Sequence, residues 1–274
     1  MSPLLEVRDL VRAYRLPRTG LRGAAPTRRA LDGVTLKIEA GQCLGLVGES
    51  GSGKSTLARA VMGVEPPDAG SVHLLGKDLY ALPPAELRRL RRHFQMVFQD
   101  PDGSLDPRHT VERIVAEPLF VEKPGRVQAR ARVAAALGAV DIAPDMARRY
   151  PHELSGGQRQ RVAIARALVT EPSLVVADEP VSALDMSIQA QVLALMLDLK
   201  RRLGIAFLLI SHDLAVVAHM ADRVAVLKEG RIVEEGEAAA VLGRPAHPYT
   251  RELLAATLPA DPLRARAALL RSGS

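Results

Sequence analysis

The chain is poor in cysteine and in aromatic residues. Its 274 residues include one cysteine, Cys43, and no tryptophan, and aromatic residues make up 3% of the total. A single cysteine excludes an internal disulfide, a CxxC redox motif and a multi-cysteine metal cage. Cys43 lies in the apolar segment QCLGLVG, which predicts a buried, inert thiol. The scarcity of rings argues against the stacking platforms that bind single-stranded nucleic acid.

Long apolar runs are also missing. No stretch reaches the roughly eighteen residues that predict a membrane span. The first residues, MSPLLEVRDL, lack the basic-then-apolar layout of a signal peptide. We therefore expect a cytoplasmic chain, which can still dock on membrane proteins.

Acidic residues are outnumbered by basic ones, and the formal net charge is +6. Nucleic acid, an anionic membrane surface or a basic-biased proteome could each account for the excess. The densest basic run, LRRLRRHF, has helical spacing and no interleaved aromatics. It therefore predicts a solvated helix face that carries Arg88, Arg89, Arg91 and Arg92.

Short β-like runs alternate with helical patterns, which predicts an α/β architecture. The predicted strands cover 5–10, 34–38 and 43–47, and the runs SVHLLG, QMVFQ, SLVVAD and IAFLLIS. A Pro/Gly/Arg-rich loop over 15–29 separates the first two strands, and alanine-rich helices dominate 107–149. A long helix ends at Gly204, a hairpin turns near Glu229 and Gly230, and a helical tail starts near Glu237.

The segment GLVGESGSGKSTLARAVMG fits the phosphate-binding pattern G-x-x-x-x-G-K-[ST], with a strand before it and a helix after it. Its glycines let backbone N–H groups converge on phosphate oxygens. Lys54 adds a positive charge, and the Ser55 hydroxyl can bind Mg²⁺. A Gly/Ser-rich turn that contains a lysine by chance is the alternative. We predict nucleotide contacts from Gly48, Glu49, Ser50, Gly51, Ser52, Gly53, Lys54, Ser55 and Thr56.

The apolar run LVVADEP places Asp178 at the end of a buried strand, where a carboxylate is costly without a partner. Mg²⁺ is the natural partner. Glu179 follows directly and can face the water that attacks the γ-phosphate, as its general base. The alternative is an ordinary polar strand end.

Three further residues are candidates for the same site. His212 follows the buried run IAFLLIS, where strand ends converge on a ligand crevice, so we favour a γ-phosphate contact over a structural role. Gln99 ends QMVFQ and could bind Mg²⁺ and sense the attacking water. Tyr14 could stack on adenine, and simple packing is the alternative.

A second anion site is predicted at LSGGQRQRVAIARAL, where Ser155, Gly156 and Gly157 open a helix. Backbone N–H groups and the helix dipole favour negative charge at such a start.

Taken together, these residues resemble the ATP-binding subunit of ATP-binding cassette (ABC) transporters. The resemblance covers about residues 4–258 and includes the phosphate loop, Gln99, LSGGQ, LVVADEP, SALD and His212, in the family's order. It implies a P-loop NTPase core with a parallel sheet, an antiparallel β subdomain and an inserted helical subdomain. The implied divisions are a core at 1–106 and 160–236, a helical signature subdomain at 107–159 and a C-terminal extension at 237–274.

The resemblance also implies why the chain has two anion sites. ABC ATPases pair head to tail, so the signature of one subunit closes over ATP held by the other. The residues implied to touch the partner's γ-phosphate are Ser155, Gly156, Gly157 and Gln158. Asp185 of SALD would carry information across that dimer interface.

The segments GRPAHPYTRELLAATLP, FQDPDGSLDPRHTV and EPVSALDMSIQAQVL resemble the dipeptide, oligopeptide and nickel importer ATPases. This implies a peripheral subunit on the cytoplasmic face of the membrane, with ATP and Mg²⁺ and without nucleic acid. Its partners would be a second ABC ATPase, identical or different, two transmembrane permease subunits and, indirectly, an extracytoplasmic solute-binding protein. A soluble, non-transport ABC-type ATPase, such as the subunit associated with carbon–phosphorus lyase, is the second interpretation. A nucleic-acid-linked ABC ATPase is third, although that class usually inserts coiled coils or duplicates the cassette.

Overall fold

The computed structural model describes residues 2–15 and 26–257. The chain divides into two compact units. The first comprises the described residues up to Leu82 and from Leu209 onward, and the second is Pro83–Leu208. Parts of the predicted 15–29 loop and of the predicted C-terminal extension lie outside the described residues.

An antiparallel sheet opens the first unit, with the strand order β2-β1-β4-β5. Its strands, numbered in chain order, are β1 (Leu5–Arg15), β2 (Thr27–Ile38), β4 (Ala69–Leu74) and β5 (Lys77–Asp78). β1 pairs with β2 from Leu5 opposite Ile38 to Arg15 opposite Thr27. Both strands are longer than predicted, because backbone pairing continues into polar ends where the hydrophobic alternation stops.

Three further strands of the first unit pair with one another, and the first of them ends at the phosphate loop. β3 (Cys43–Val47) runs parallel to β9 (Arg223–Lys228), and β9 pairs antiparallel with β10 (Arg231–Glu237). The predicted hairpin turn is confirmed, since Glu229 and Gly230 have φ of 48° and 80°, as a primed turn requires. The described residues of this unit form the helices α1 (Lys54–Val61), α8 (Leu214–Met220), α9 (Ala238–Gly243) and α10 (Pro248–Thr257).

The second unit packs helices around a parallel strand pair. β6 (Phe94–Val97) pairs with β7 (Leu174–Asp178). The second unit ends at Leu208, within strand β8 (Ala206–Ile210), and the first unit resumes at Leu209. The helices are α2 (Pro84–Leu90), α3 (Pro101–Ser104), α4 (Val111–Ala116), α5 (Arg126–Ala139), α6 (Gly156–Leu168) and α7 (Met186–Leu203). Short 3-10 turns lie at Arg91–His93, Glu117–Phe120, Pro144–Arg148 and Pro151–Glu153.

Helix α6 is the centre of the second unit, since it contacts α3, α4, α5, α7 and β6. Two of its arginines bond to carbonyl groups at the ends of neighbouring helices. Arg161 donates to the Val140 carbonyl at 2.9 Å, and Arg166 donates to the Ser104 carbonyl at 2.5 Å. Burial lowers the pKa of the Arg166 guanidinium, because partial removal from water disfavours its charged form.

Several sequence predictions are confirmed by burial and by helix ends. Cys43 is completely buried, and the four arginines of the basic run are exposed. The long helix ends where predicted, because Gly204 follows α7 with φ of 64° and serves as a left-handed cap. In the described part of the chain, no helix combines the length and apolarity needed to cross a membrane.

Candidate nucleotide site

The phosphate loop joins a buried strand to a helix, as predicted. β3 ends at Val47 and α1 begins at Lys54, so residues 48–53 form the loop between them. The N-cap of α1 is Gly53, which has no side chain to offer a capping oxygen. The first backbone N–H groups of a helix have no intrahelical acceptors. This start can therefore receive an anion.

Lys54 is almost fully buried, at 8% exposure, although it carries a charge. Its ammonium donates to the carbonyl oxygens of Gly48 at 2.6 Å and Glu49 at 2.8 Å. The loop therefore curls around the ammonium group, which offsets the cost of removing that charge from water.

Only glycine fits at position 53. Its φ of 116° lies in a region that side chains rarely adopt, and a Cβ here would overlap the backbone carbonyl oxygen of Ala30 in β2. The last glycine of the loop therefore lets α1 begin directly against the antiparallel sheet of its own unit.

The loop also contains a buried hydroxyl that fits a phosphate group. Ser52 is 6% exposed, and its Oγ has no hydrogen-bond partner within the described residues. A buried hydroxyl without a partner costs free energy, so such groups in native proteins mark a missing ligand or water. Phosphate oxygens accept hydrogen bonds from a serine hydroxyl, so the residues present fit a nucleotide.

Tyr14 lies beside this loop. Its hydroxyl is 3.5 Å from the Thr56 Oγ1 and donates to the Glu65 carboxylate at 2.8 Å. The Arg12 guanidinium carbon lies 5.2 Å from the centre of the Tyr14 ring. The structure thus brings Tyr14 close to the end of the phosphate loop, with its hydroxyl engaged and one ring face covered by a cation.

His212 is an exposed residue just after β8. The preceding residue, Ser211, donates its backbone N–H to the Leu46 carbonyl of β3 at 3.3 Å. β3 leads directly into the phosphate loop. The backbone at His212 therefore belongs to the same strand-end region as the loop.

Two of the predicted residues of the second unit share one edge of its strand pair. Val97 of β6 lies opposite Ala177 of β7 in a parallel register. Asp178 ends β7, and Gln99 follows β6 by two residues. Since carboxyl ends of parallel strands lie at one edge, the structure brings this carboxylate and this amide to the same edge.

Glu179 has an unusual backbone conformation. Its φ is 47°, in the left-handed region that favours glycine, and its carbonyl accepts hydrogen bonds from the Ser182 N–H at 3.3 Å and hydroxyl at 3.1 Å. A non-glycine residue held this way costs about 1–3 kcal/mol, and six other non-glycine residues of the described chain share this region. The tight turn takes Glu179 out of strand β7, which ends one residue earlier.

The signature segment begins helix α6 with a reciprocal cap. The Ser155 Oγ accepts the Gln158 N–H at 3.3 Å, and the Gln158 Oε1 accepts the Ser155 N–H at 2.9 Å. This is a capping box of the S-x-x-Q type. The predicted functional residues Ser155 and Gln158 therefore also build the helix start that presents Gly156 and Gly157.

Gly157 is needed for the packing of α6 on α7. A Cβ at this position would lie 2.7 Å from the Ile188 Cγ2, closer than side chains approach. Gly156 differs, since a Cβ there would meet the Leu184 Cδ2 at an ordinary 3.6 Å. The second glycine therefore brings the signature helix close to the segment that follows SALD.

Asp185 of SALD caps helix α7. Its carboxylate accepts the backbone N–H groups of Ser187 at 3.1 Å and Ile188 at 3.0 Å. The Ile188 N–H bond, followed by the Ser187 hydroxyl, holds the pKa of Asp185 below its usual value. Its side chain is exposed, so the cap also leaves the carboxylate accessible.

Two of the predicted residues carry oxygen donors that suit Mg²⁺. Within the described residues, no group of three His, Cys, Asp or Glu side chains is placed to hold a metal ion. Mg²⁺ does not require such a cage, since it is commonly held by one or two protein oxygens together with substrate phosphates. The Ser55 hydroxyl and the Asp178 carboxylate are donors of the kind that it prefers.

One contact to the phosphate loop was missed by the sequence motifs. The Tyr249 hydroxyl accepts a hydrogen bond from the Glu49 backbone N–H at 3.1 Å. The two residues are 200 positions apart. No local sequence pattern links a C-terminal tyrosine to a loop at that separation.

The chain matches the protein family described as "ABC transporter" over residues 31–182. The oligopeptide transport ATP-binding protein OppF of Escherichia coli K12 is 51% identical over 238 residues, which are 86% of this chain and 71% of that protein. The oligopeptide transport ATP-binding protein OppD of Mycobacterium tuberculosis is 48% identical over 264 residues. That alignment spans 96% of this chain but only 43% of OppD.

A solved structure gives the same result for the fold. The dimeric ATP-binding cassette MJ0796, in a post-hydrolysis state bound to ADP and Pi, superposes with a TM-score of 0.74 at 30% identity. The match covers 85% of this chain and 98% of that chain. The predicted α/β P-loop fold, with a parallel strand core and an antiparallel sheet, is confirmed.

Proposed function

Because the chain belongs to the ABC transporter family and is an ABC-type ATPase by family and fold, we propose that it hydrolyses ATP to power the import of peptides or a related solute. The observation that carries this proposal is the phosphate loop. It is closed around the buried Lys54, its helix start has no side-chain cap, and its buried Ser52 hydroxyl has no partner among the described residues. The family accounts for ATP as the nucleotide.

ATP is held by the phosphate loop in this proposal. Residues 48–56 supply backbone N–H groups, the Lys54 ammonium and the hydroxyls of Ser52 and Ser55 to the phosphates. Tyr14 stacks on the adenine with the ring face that Arg12 does not cover. Bound Mg²⁺ would be held by Ser55, Asp178 and Gln99 and would neutralise charge on the phosphates.

Hydrolysis requires that a water be aimed at the γ-phosphorus. Glu179 accepts a proton from this water while the water oxygen bonds to phosphorus and the bond to the ADP oxygen breaks. His212 donates a hydrogen bond to the γ-phosphate, and this bond is lost when the phosphate is released. The position of Glu179 supports this assignment, because it directly follows Asp178 and the turn takes it out of β7.

The signature segment acts on a second subunit. The capping box fixes Ser155 and Gln158, and the packing of Gly157 on Ile188 fixes the helix start. These contacts give the α6 start a set geometry, which an anion clamp needs. We place the ATP of a partner subunit, identical or different, at this clamp, in a head-to-tail pair with Asp185 at the interface.

The peptide importer assignment draws on the relatives. Two of them are named oligopeptide transport ATP-binding proteins and are 48–51% identical to this chain. We propose the corresponding assembly: a peripheral subunit on the cytoplasmic face, a second ABC ATPase, two permease subunits and, indirectly, an extracytoplasmic solute-binding protein.

A pull-down from the host's own membranes tests this proposal. The tagged Glu179→Gln chain is incubated with ATP and detergent-solubilised membranes, and captured proteins are identified by mass spectrometry. The tagged Ser155→Arg chain, treated in the same way, shows which captures depend on ATP-driven pairing. We expect two polytopic membrane proteins, with a second ATPase if the pair is mixed. Recovery of soluble partners alone would contradict the importer and favour a non-transport ABC ATPase.

A further inference from the structure

The C-terminal helix contacts the phosphate loop through one side chain. Tyr249 of α10 is 3% exposed, and its hydroxyl oxygen accepts the backbone N–H of Glu49 at 3.1 Å. A buried tyrosine hydroxyl usually finds such a partner. Burial raises the pKa of Tyr249, so the ring stays in its neutral phenol form near neutral pH.

This contact fixes the orientation of one peptide group. The Glu49 N–H and the Gly48 C=O belong to the same planar peptide. The N–H end is held by Tyr249, and the C=O end accepts the Lys54 ammonium at 2.6 Å. Because the peptide is rigid, the hydroxyl of Tyr249 also determines where the acceptor for Lys54 lies.

Tyr249 is itself held in place by its neighbours. The Glu234 carboxylate of β10 accepts the N–H groups of Ala246 at 2.8 Å and His247 at 3.0 Å. The His247 Nδ1 accepts the Tyr249 N–H at 3.1 Å. The start of α10 is therefore anchored to β10, and through β10 and β9 to the strand that leads into the loop.

The Tyr249 ring has a second fixed contact. The Lys228 ammonium lies 4.4 Å from the ring centre, within the range of a cation–π interaction. A phenylalanine would keep this contact and the buried volume. The hydroxyl can therefore be removed without removing the side chain that packs α10.

We propose that Tyr249 is a positioning residue for the nucleotide site, through which the C-terminal helix sets the geometry of the phosphate loop. The inference rests on the proposed function, since it requires that the loop bind nucleotide. Tyr249 orients the Gly48–Glu49 peptide, and this peptide places the Lys54 ammonium that meets the phosphates. By thermodynamic reciprocity, a nucleotide that prefers the ordered loop also strengthens the docking of α10.

The first test compares nucleotide affinity. Binding of a non-hydrolysable ATP analogue with Mg²⁺ to the full chain is measured by calorimetry for the parent and for Tyr249→Phe. One lost hydrogen bond at the loop should weaken binding by roughly three- to tenfold. Thr250→Val is the matched control, because it removes a buried hydroxyl of the same helix turn that interacts with Glu234 and not with the loop. The control should bind like the parent.

The second test needs no nucleotide. Amide hydrogen exchange at Glu49, followed by NMR in the nucleotide-free chain, should be faster in Tyr249→Phe than in the parent and unchanged in Thr250→Val. A tyrosine that only packs α10 would leave both exchange and affinity unchanged on replacement by phenylalanine.

The two tests separate the possible failures. Equal affinity and equal Glu49 exchange in parent and Tyr249→Phe would overturn the positioning role and leave the proposed function intact. A parent chain that binds no ATP analogue would overturn the proposed function and the positioning role with it. Weaker binding together with faster Glu49 exchange, in Tyr249→Phe alone, is the result we expect.

Discussion

The Lys54 ammonium lies 2.6 Å from the Gly48 carbonyl oxygen, across a loop of five intervening residues. The loop carbonyls make the burial of this charge possible, and the same arrangement puts the charge at the start of α1. An ammonium group, a helix N-terminus and a serine hydroxyl without a partner in the described parts of the chain thus converge in one loop. That convergence is the structural basis of the nucleotide site proposed for this chain.

The base assignment predicts a separation of binding from hydrolysis. Glu179→Gln should lower steady-state ATP turnover by at least about a hundredfold, because it removes the proton acceptor in the transition state. Affinity for ATP should stay within about twofold, since the loop is untouched. Phosphate release and equilibrium binding measure the two quantities, and turnover at the parent rate would remove Glu179 from the mechanism.

The signature is expected to act in trans. Ser155→Arg should block ATP-driven pairing in the Glu179→Gln background and leave monomer affinity for ATP unchanged. Arginine also removes the helix cap, which costs about 1 kcal/mol. Ser155→Ala removes the cap and the hydroxyl without adding bulk, so it should lose similar stability but weaken ATP-driven pairing less than Ser155→Arg does.

Mass photometry with and without ATP, using the chain and any second ATPase recovered with it, distinguishes these variants. Loss of ATP binding by the Ser155→Arg monomer would mean that the signature serves its own nucleotide site.

The α6–α7 contact predicts different outcomes for two adjacent glycines. Gly157→Ala should lower the free energy of unfolding by about 1–2 kcal/mol, because its Cβ would overlap Ile188. Gly156→Ala, with ordinary spacing to Leu184, should change it by less than about 0.5 kcal/mol. Urea denaturation measures both, and adding Ile188→Ala should recover part of the Gly157→Ala loss. Equal effects of the two alanines would show that the contact is absent.

A pH dependence is expected from the pair of Glu122 and Arg132. The guanidinium donates two hydrogen bonds, at 2.9 Å and 3.2 Å, and holds the pKa of Glu122 below its usual value of 4.5. Because the pKa of Glu122 is lower in the folded chain than in the unfolded chain, its ionised carboxylate stabilises the fold at pH values above the unfolded pKa. This stabilisation is lost as the pH falls through the folded pKa. Glu122→Gln should therefore cost about 1 kcal/mol at pH 7 and progressively less below pH 4.5. A cost independent of pH would contradict the ion pair.

Sequence patterns predicted those parts of the fold that local chemistry determines. The apolar run before Asp178, the glycine that ends α7 and the turn at Glu229 each act within a few residues. Strand ends were misjudged, because β1 continues to Arg15 through backbone pairing that polar side chains do not reveal.

The sequence predicts which residues form the candidate site, but it does not predict their local geometry. The S-x-x-Q pattern of a capping box was present in the signature, yet only the structure shows Ser155 and Gln158 bonded to each other. The left-handed Glu179 and the contact of Gly157 with Ile188 depend on tertiary packing. The Tyr249 contact joins positions 200 residues apart, beyond the reach of any periodicity.

Equilibrium binding of MgATP to the purified parent chain and to Lys54→Met tests the central claim most directly. Methionine preserves most of the buried volume and removes the charge that the Gly48 carbonyl holds. We predict that the parent binds and that the variant, with its thermal unfolding midpoint measured as a folding control, binds at least about tenfold more weakly. A folded Lys54→Met chain that binds MgATP as tightly as the parent would contradict the assignment of this loop as the nucleotide site.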